Sequence, residues 1–314
     1  MISDTHIMKN NFDISIIIVS FNTKNILINC IESIFQNMNG INFEIIVVDN
    51  NSTDGTKVFL NQISKRKNVR CIYLKENKGF GIANNTGMRI SSGKYILLLN
   101  SDTEVVNDVI QKCMEWMGGH ESYGVISPNL YNKDGSIQGT GGYFPNLLRV
   151  FSWMTIQDIP FVDLLIKPFH PMRSNSFYNG NEFYRKERDL DWVTGAFFML
   201  RRETFNDVGF FDNDFFMYTE EVEYCFRIKE KGWKIKYLPI SGVIHLGGAS
   251  STIGFSVLRE FNGIKLLYKK HFPKWQYSVL RIFLKIGCLG RIFVFGLLKG
   301  KEAAKIYAKA FIET

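Results

Sequence analysis

Tyr95-Ile-Leu-Leu-Leu-Asn100-Ser-Asp102-Thr-Glu104 sets five residues suited to a buried strand just ahead of an acid. Apolar Ile96 to Leu99 fit a parallel strand covered on both faces, and sheets of that kind bind ligands beyond their carboxyl ends. Asp102 then stands at a cleft. A carboxylate there can hold a hard divalent cation, and the cation can clamp a diphosphate that no anionic side chain could approach alone. An isolated Asp in this position would otherwise serve as a turn or helix-cap residue.

Working outward, Ile14 to Ser20, Phe43 to Val48 and Arg70 to Leu74 repeat the strand-like pattern, each followed by helix-compatible sequence. Between the first two runs, Ile26, Leu27, Cys30, Ile31, Ile34 and Phe35 recur at three- and four-residue spacing, which places one apolar stripe on a helix. The alternation predicts βαβ units with right-handed crossovers, and functional loops at the strand ends.

The chain has 314 residues, 46% of them hydrophobic, which suits one large domain with an extension. Its net charge of +8 is unevenly placed. Residues 259–314 hold 12 Lys/Arg against 3 Asp/Glu, whereas residues 1–258 hold 26 against 27. A nearly neutral body with a basic, apolar tail argues against a nucleic-acid partner and for an anionic membrane surface. Cys30, Cys71, Cys113, Cys225 and Cys288 lack paired spacing, and their odd number speaks against a disulfide framework. With no secretory signal at the N-terminus, the expected location is the cytoplasm, on the inner face of the cell membrane.

The second strand runs into Val47-Val48-Asp49-Asn50-Asn51-Ser52-Thr53-Asp54-Gly55-Thr56, a loop able to bind a base and ribose. Asp49 can accept a hydrogen bond from a base imide or a ribose hydroxyl, while Asp54 suits a helix cap. Gly79-Phe80-Gly81 follows a strand and opens a helix, imitating a dinucleotide fingerprint, but Asn84 replaces the third glycine. Glu220-Glu221-Val222-Glu223 opens a helix whose dipole favours acids. Glu223 lies one turn before Arg227 and pairs with it. Glu221 points about 100° away from Glu220, so one carboxylate can face a cleft as a general base. His245 ends an apolar run before Gly247 and Gly248, where it is either structural or an imidazole ligand.

The stretch from Lys133 to Pro145 is rich in turn residues, and residues 146–190 show no clear period, which suits an acceptor-side insertion or a mobile loop. Order returns after Asp191, with helices expected over Arg202 to Val208 and around Glu220 to Lys231. In the tail, Lys270, Lys274, Arg281, Lys285 and Lys299 share one helical sector and apolar residues fill much of the rest. Pro273, Gly287 and Gly290 are expected to break this rod into shorter helices lying in a membrane interface. A helix packed on the domain, or a face shared with a second copy in a homodimer, is the alternative.

Taken together, these segments resemble family 2 glycosyltransferases of the GT-A fold, in particular the bacterial rhamnosyltransferase-like branch. The likeness spans about residues 13–250. It rests on Ile18-Val19-Ser20-Phe21-Asn22, Val48-Asp49-Asn50-Asn51-Ser52-x-Asp54-Gly55, Asn77-x-Gly79-Phe80-Gly81-x-Ala83-Asn84-Asn85-x-Gly87, Leu99-Asn100-Ser101-Asp102-Thr103, Gly195-Ala196-Phe197-Phe198-Met199-x-Arg201-Arg202 and Phe216-Met217-Tyr218-x-Glu220-Glu221.

The resemblance implies an α/β GT-A catalytic domain over residues 1–258, a mixed sheet flanked by helices, with a helical extension over 259–314. It implies that Ser20, Asn22, Asp49, Asn51, Asp54, Asn77, Gly79, Asn84, Asn100 and Asp102 hold a nucleotide diphosphate sugar. It also implies that Asp102 and His245 bind Mg²⁺ or Mn²⁺ and that Glu221 is the catalytic base. The implied activity is inverting transfer from dTDP-rhamnose or a UDP-hexose to a glycan or lipid-linked acceptor in cell-surface polysaccharide synthesis. Three positions depart from the family pattern. Asn100 stands where some relatives carry the first Asp, Glu221 and Glu223 replace aspartates, and Gly141 and Gly142 stand where relatives often have basic residues. A nucleotide-dependent oxidoreductase and a non-catalytic sugar-nucleotide-binding protein are the competing readings.

Overall fold

Phe12–Ser20, Phe43–Asp49, Val69–Tyr73 and Gly93–Asn100 form strands β1 to β4, and all four run parallel in the spatial order β3-β2-β1-β4. Ile16, Ile17, Ile18, Ile45, Ile46, Val47 and Val48 have no exposed surface, as strands covered on both faces require. The coordinates are a computed structural model and describe residues 12–157, 165–167, 169–170, 183–247 and 253–314.

The helices supplying that cover are α1 (Lys24–Asn37), α2 (Thr56–Ile63) and α3 (Gly79–Ile90). In α1 the buried positions Leu27, Cys30, Ile31 and Ile34 are the expected apolar stripe. After β4 the chain turns at Ser101-Asp102 into β5 (Thr103–Val105), and α4 (Val109–Gly118) follows. Next come β6 (Tyr123–Ser127), β7 (Leu130–Tyr131), β8 (Ile137–Gln138), β9 (Gly141–Gly142) and α5 (Leu147–Thr155).

Then follow β10 (Arg188–Asp189), β11 (Trp192–Val193), β12 (Phe197–Arg201), α6 (Arg202–Val208), α7 (Glu220–Glu230), β13 (Lys234–Tyr237) and β14 (Val243–His245). The main sheet has the order β10-β13-β6-β12-β4-β1-β2-β3, and β12 lies antiparallel to both β4 and β6. The sheet is therefore mixed, with parallel pairing confined to β1–β4 and to β6 with β13. A smaller sheet, β5-β14-β7-β8, sits against the carboxyl end of β4 and pairs His245 with Thr103. Of the expected insertion over 146–190, residues 158–164, 168 and 171–182 lie outside the described residues, as does Gly248 beyond His245.

Three C-terminal helices complete the chain: α8 (Ile253–His271), α9 (Lys274–Lys299) and α10 (Lys301–Glu313). Phe261, Ile264, Leu267 and Tyr268 of α8 are buried against the body, worth roughly 1.5–3 kcal/mol each. The Tyr268 hydroxyl donates to the Pro145 carbonyl, and Lys270 Nζ pairs with Asp212 at 2.6 Å. The expected boundary at 258/259 falls inside α8. Pro273 breaks the rod as expected, but α9 runs unbroken through Gly287 and Gly290. Gly287 is a contact glycine: a Cβ there would lie 2.3 Å from Met154 Cε, so its small size lets α9 close on α5.

Candidate active site

The β4–β5 turn, the loops after β1 and β2, the start of α7 and the end of β14 converge on one cavity of about 510 Å³ beyond the carboxyl end of the sheet. Asp102 and His245 form one wall, with Asp102 Oδ1 3.3 Å from His245 Nε2 and Asn100 Nδ2 3.4 Å from the same nitrogen. Pairing of β14 with β5 fixes the approach, and the Leu246 N–H donates to the Asp102 carbonyl at 2.9 Å.

Gln138 Oε1 lies 2.5 Å from His245 Nδ1, so Nδ1 carries the proton when the imidazole is neutral. Nε2 then offers a lone pair beside Asp102 Oδ1, where a cation can lie between them and where the Asn100 amide is the donor in reach. A carboxylate and an imidazole suit Mn²⁺, and Mg²⁺ commonly takes one or two carboxylates and completes its shell with substrate phosphates. Among the described residues no three His, Cys, Asp or Glu side chains gather to hold an ion unaided. The residues thus fit a cation that shares its shell with a diphosphate.

The loops behind this wall are tied by hydrogen bonds. Asn50 Nδ2 donates to Asn77 Oδ1 at 2.8 Å, and Asn77 Oδ1 also accepts from the Gly79 N–H at 3.0 Å. Ser20 Oγ, Thr23 Oγ1 and Ser101 Oγ form a buried hydroxyl chain with steps of 3.0 and 3.1 Å. Gly79 adopts φ +81°, and a Cβ there would lie 2.0 Å from the Phe216 carbonyl oxygen, while the Phe80 N–H donates to that same oxygen. The glycine therefore serves close approach of α3 to the loop before α7.

The start of α7 brings two further acids to the cavity. Tyr218 and Thr219 take φ +66° and +75°, a left-handed pair rare for non-glycine residues, and α7 opens directly after them. Gly263 of α8 permits this turn, since a Cβ there would lie 2.4 Å from Thr219 Oγ1. Glu220 and Glu221 both line the cavity, and the Oε2 atom of each is buried with no hydrogen-bond partner among the described residues. Burial, and then the negative charge of Glu260, pushes the Glu221 carboxyl up to about 7. Glu220 is pushed well above the carboxylate range by burial and then by Glu221. Glu223 is committed elsewhere: Arg227 Nε bonds its Oε1 at 2.7 Å and His271 Nε2 lies 3.0 Å from the same atom.

Of the residues proposed from sequence, Asn77, Asn100, Asp102, Glu221 and His245 line the cavity. The others support it from behind or beside. Asp49 is fully buried, its carboxylate accepting the Ser52 N–H at 3.3 Å. Asp54 accepts the Thr56 N–H at 3.1 Å and the Lys24 N–H at 2.9 Å, a turn just ahead of α2 that ties it to α1, while Gly55 holds the N-cap position. Asn22 Oδ1 accepts the Thr53 N–H at 2.7 Å, and Asn22 and Asn51 both adopt positive φ. Ser20 belongs to the hydroxyl chain, Gly79 is the contact glycine, and Asn84 Nδ2 donates within α3 to the Phe80 carbonyl at 3.0 Å.

Sequence reasoning missed Thr23, Ser101, Thr194 and Arg259 as lining residues, and it set Glu220 aside in favour of its neighbour. The Arg259 guanidinium lies 4.8 Å from the Phe216 ring centroid. No local signal marks Arg259, which reaches the cavity only because α8 folds back on α7.

Residues 15–209 match the sequence model described as Glycosyl transferase family 2. The chain is 26% identical over 213 residues to N-acetylglucosaminyl-diphospho-decaprenol L-rhamnosyltransferase of Mycobacterium tuberculosis, a match covering 64% of this chain and 66%, just under two thirds, of that protein. It is 25% identical over 285 residues to the low-salt glycan biosynthesis hexosyltransferase Agl10 of Haloferax volcanii, covering 87% of this chain and 82% of the relative. The mannosyltransferase PcManGT of Pyrobaculum calidifontis, solved with GDP-Man and Mn²⁺, superposes with a TM-score of 0.55 at 13% identity, over 95% of this chain and 74% of that one. Residues 1–349 of S. aureus TarS superpose at 0.53 and 15% identity, over 95% and 81%. At such identities the structural likeness speaks to fold alone.

Proposed function

The chain belongs to glycosyl transferase family 2 and carries its mixed α/β GT-A sheet, and on that footing we propose that it is an inverting hexosyltransferase. The reaction we infer moves a sugar from a nucleoside diphosphate donor to a hydroxyl of a glycan or lipid-linked acceptor in cell-surface polysaccharide synthesis. dTDP-rhamnose is the favoured donor, supported by the likeness to the mycobacterial rhamnosyltransferase, and a UDP-hexose is the close alternative. The proposed catalytic body is residues 1–258, with 259–314 as a helical extension that contacts an anionic membrane surface from the cytoplasmic side.

The observation that carries this reading is that two centres line one cavity: a carboxylate–imidazole pair suited to a cation-bound diphosphate, and a carboxylate with an unsatisfied buried oxygen suited to proton abstraction. In the proposed single displacement, Glu221 takes the proton of the acceptor hydroxyl. The freed oxygen bonds to the anomeric carbon from the face opposite the donor's diphosphate. The bond from that carbon to the diphosphate oxygen breaks, its electron pair leaves with the nucleotide, and the configuration inverts. Asp102 and His245 would hold Mg²⁺ or Mn²⁺. When bound, such a cation supplies Lewis-acid stabilisation of negative charge on the departing diphosphate. Burial and then the neighbouring Glu221 raise the Glu220 carboxyl well above its ordinary range, so Glu220 is a weaker acid than a free glutamate beside the proposed base.

A thermal-shift panel of UDP-, dTDP- and GDP-sugars and NAD(H), each with and without Mn²⁺, tests the class. Stabilisation by one nucleotide sugar that requires Mn²⁺ is expected, at roughly 2.7 kcal/mol when the ligand is a hundredfold above its Kd. Stabilisation by NAD(H) alone would return the oxidoreductase reading. Donor binding with no transfer to any acceptor would favour the non-catalytic reading.

A further inference from the structure

Helix α9 is apolar on the side that faces away from the protein as well as on the side that faces in. Leu280, Leu284, Gly287, Cys288 and Arg291 are buried on its inner side. Its exposed positions between 282 and 298 are Ile282, Ile286, Leu289, Gly290, Phe293, Val294, Leu297 and Leu298, with no charged residue among them. Ile282, Ile286, Leu289, Phe293 and Leu297 follow four- and three-residue steps and so stack into one stripe. Phe293 is 72% exposed and Leu297 87%. A helix on the surface of a soluble domain ordinarily turns polar residues outward, and a continuous outward apolar stripe marks an interaction surface.

The flanks of the stripe identify the partner's chemistry. Helix α10 folds back antiparallel to α9, with Phe295 and Tyr307 ring centroids 5.5 Å apart and Arg281 Nε donating to the Thr314 carbonyl at 2.6 Å. It carries Lys301, Lys305 and Lys309 at four-residue intervals, all exposed. The ion pairs of Lys305 with Glu302 at 2.7 Å and of Lys309 with Glu313 at 3.8 Å lie at the surface, where such pairs contribute little. Lys274, Lys299 and the exposed ring of Trp275 sit at the ends of α9, and an indole suits the depth of lipid headgroups. A second copy of the chain seated on this face would bring like-charged rows together. An anionic leaflet meets both the apolar stripe and the lysines.

We propose that the outward face of α9, edged by the lysine row of α10, docks in the plane of an anionic lipid surface. No helix among the described residues is long and apolar enough to cross a membrane, so the helix lies along the interface with its stripe among the upper acyl chains. The proposal rests on the membrane contact proposed for residues 259–314 and names the surface that makes it; its test is distinct from that of the transfer reaction, because no residue of the stripe lines the cavity.

Flotation of the full chain with vesicles of phosphatidylcholine alone, or of phosphatidylcholine mixed with phosphatidylglycerol, tests it. The chain is expected to float with the anionic vesicles. Lys301→Ser/Lys305→Ser/Lys309→Ser should weaken that binding about a hundredfold, at about 1 kcal/mol for each lysine near an anionic leaflet. Ile286→Glu/Phe293→Glu/Leu297→Glu replaces only exposed side chains and should abolish flotation while leaving the melting temperature and the nucleotide-sugar thermal shift unchanged. Failure of the unaltered chain to float with anionic vesicles, or equal flotation of the glutamate variant, overturns the proposal. A dimer in sedimentation that dissociates in the glutamate variant would also overturn it, assigning the face to a second copy.

Discussion

The two walls of the cavity are both acidic, yet the chain treats their acids differently. Asp102 is met by His245 at 3.3 Å, and His245 is itself oriented by Gln138, so that wall is a connected polar set fixed by strand pairing. Glu220 and Glu221 sit on a helix that opens from a strained turn, each with a buried oxygen that no described group satisfies. Asp102 is held in place by its partners, whereas burial makes the unsatisfied acids of the other set hold their protons more tightly. The first arrangement suits holding a charged ligand, and the second suits proton transfer near neutral pH.

The largest expected effect comes from removing the unpaired acid nearest the carboxylate range. Glu221→Gln should lower the transfer rate by roughly 10² to 10⁴, measured as sugar transferred per enzyme at saturating donor. Full turnover would break the contrast between the walls. On the other wall, Gln138→Leu leaves both cation-facing atoms in place but frees the imidazole. It should weaken Mn²⁺-dependent donor binding by about 10- to 100-fold, read by calorimetry, while the rate at saturating donor changes less.

The Glu221 carboxyl sharpens the comparison through pH. With its value near 7, the rate should fall about tenfold per pH unit on the acid side and level off above neutrality. The same shift governs stability. An acid whose value rises on folding stabilises the folded chain below its unfolded value, and that contribution is lost as pH climbs through about 7. Glu221→Gln should therefore raise stability at mildly alkaline pH by roughly 1–3 kcal/mol and leave it unchanged near pH 4, measured by urea unfolding. An effect on stability alone is expected at the turn that opens α7. Gly263→Ala crowds the Thr219 turn and should cost roughly 1–3 kcal/mol of stability.

The same contrast explains what could be read from the sequence. The four parallel strands and Asp102 were legible because apolar runs, helical stripes and an acid just after a strand are local patterns. The antiparallel place of β12 between β4 and β6 was not legible, because pairing partners are set by distant residues. Asp54, expected as a helix cap, instead stands one residue ahead of the N-cap Gly55 and closes a turn onto Thr56. Asp49 stands behind the cavity because Ser52 turns back onto its carboxylate, a contact made by the shape of the loop and not its composition. Gly79 was read as part of the nucleotide site, and the structure shows that it also permits close approach to Phe216, since both uses demand the same missing Cβ. Arg259 and the strained Tyr218-Thr219 turn were hidden for one reason: both depend on α8 folding back over α7.

The most direct test measures donor binding by the Glu221→Gln and Asp102→Asn variants side by side, by calorimetry with dTDP-rhamnose or a UDP-hexose in Mn²⁺. Two walls with separate duties predict that Glu221→Gln binds donor like the unaltered chain, while Asp102→Asn loses the Mn²⁺-dependent component. Equal loss of binding in both variants, or retention in Asp102→Asn, would contradict that division.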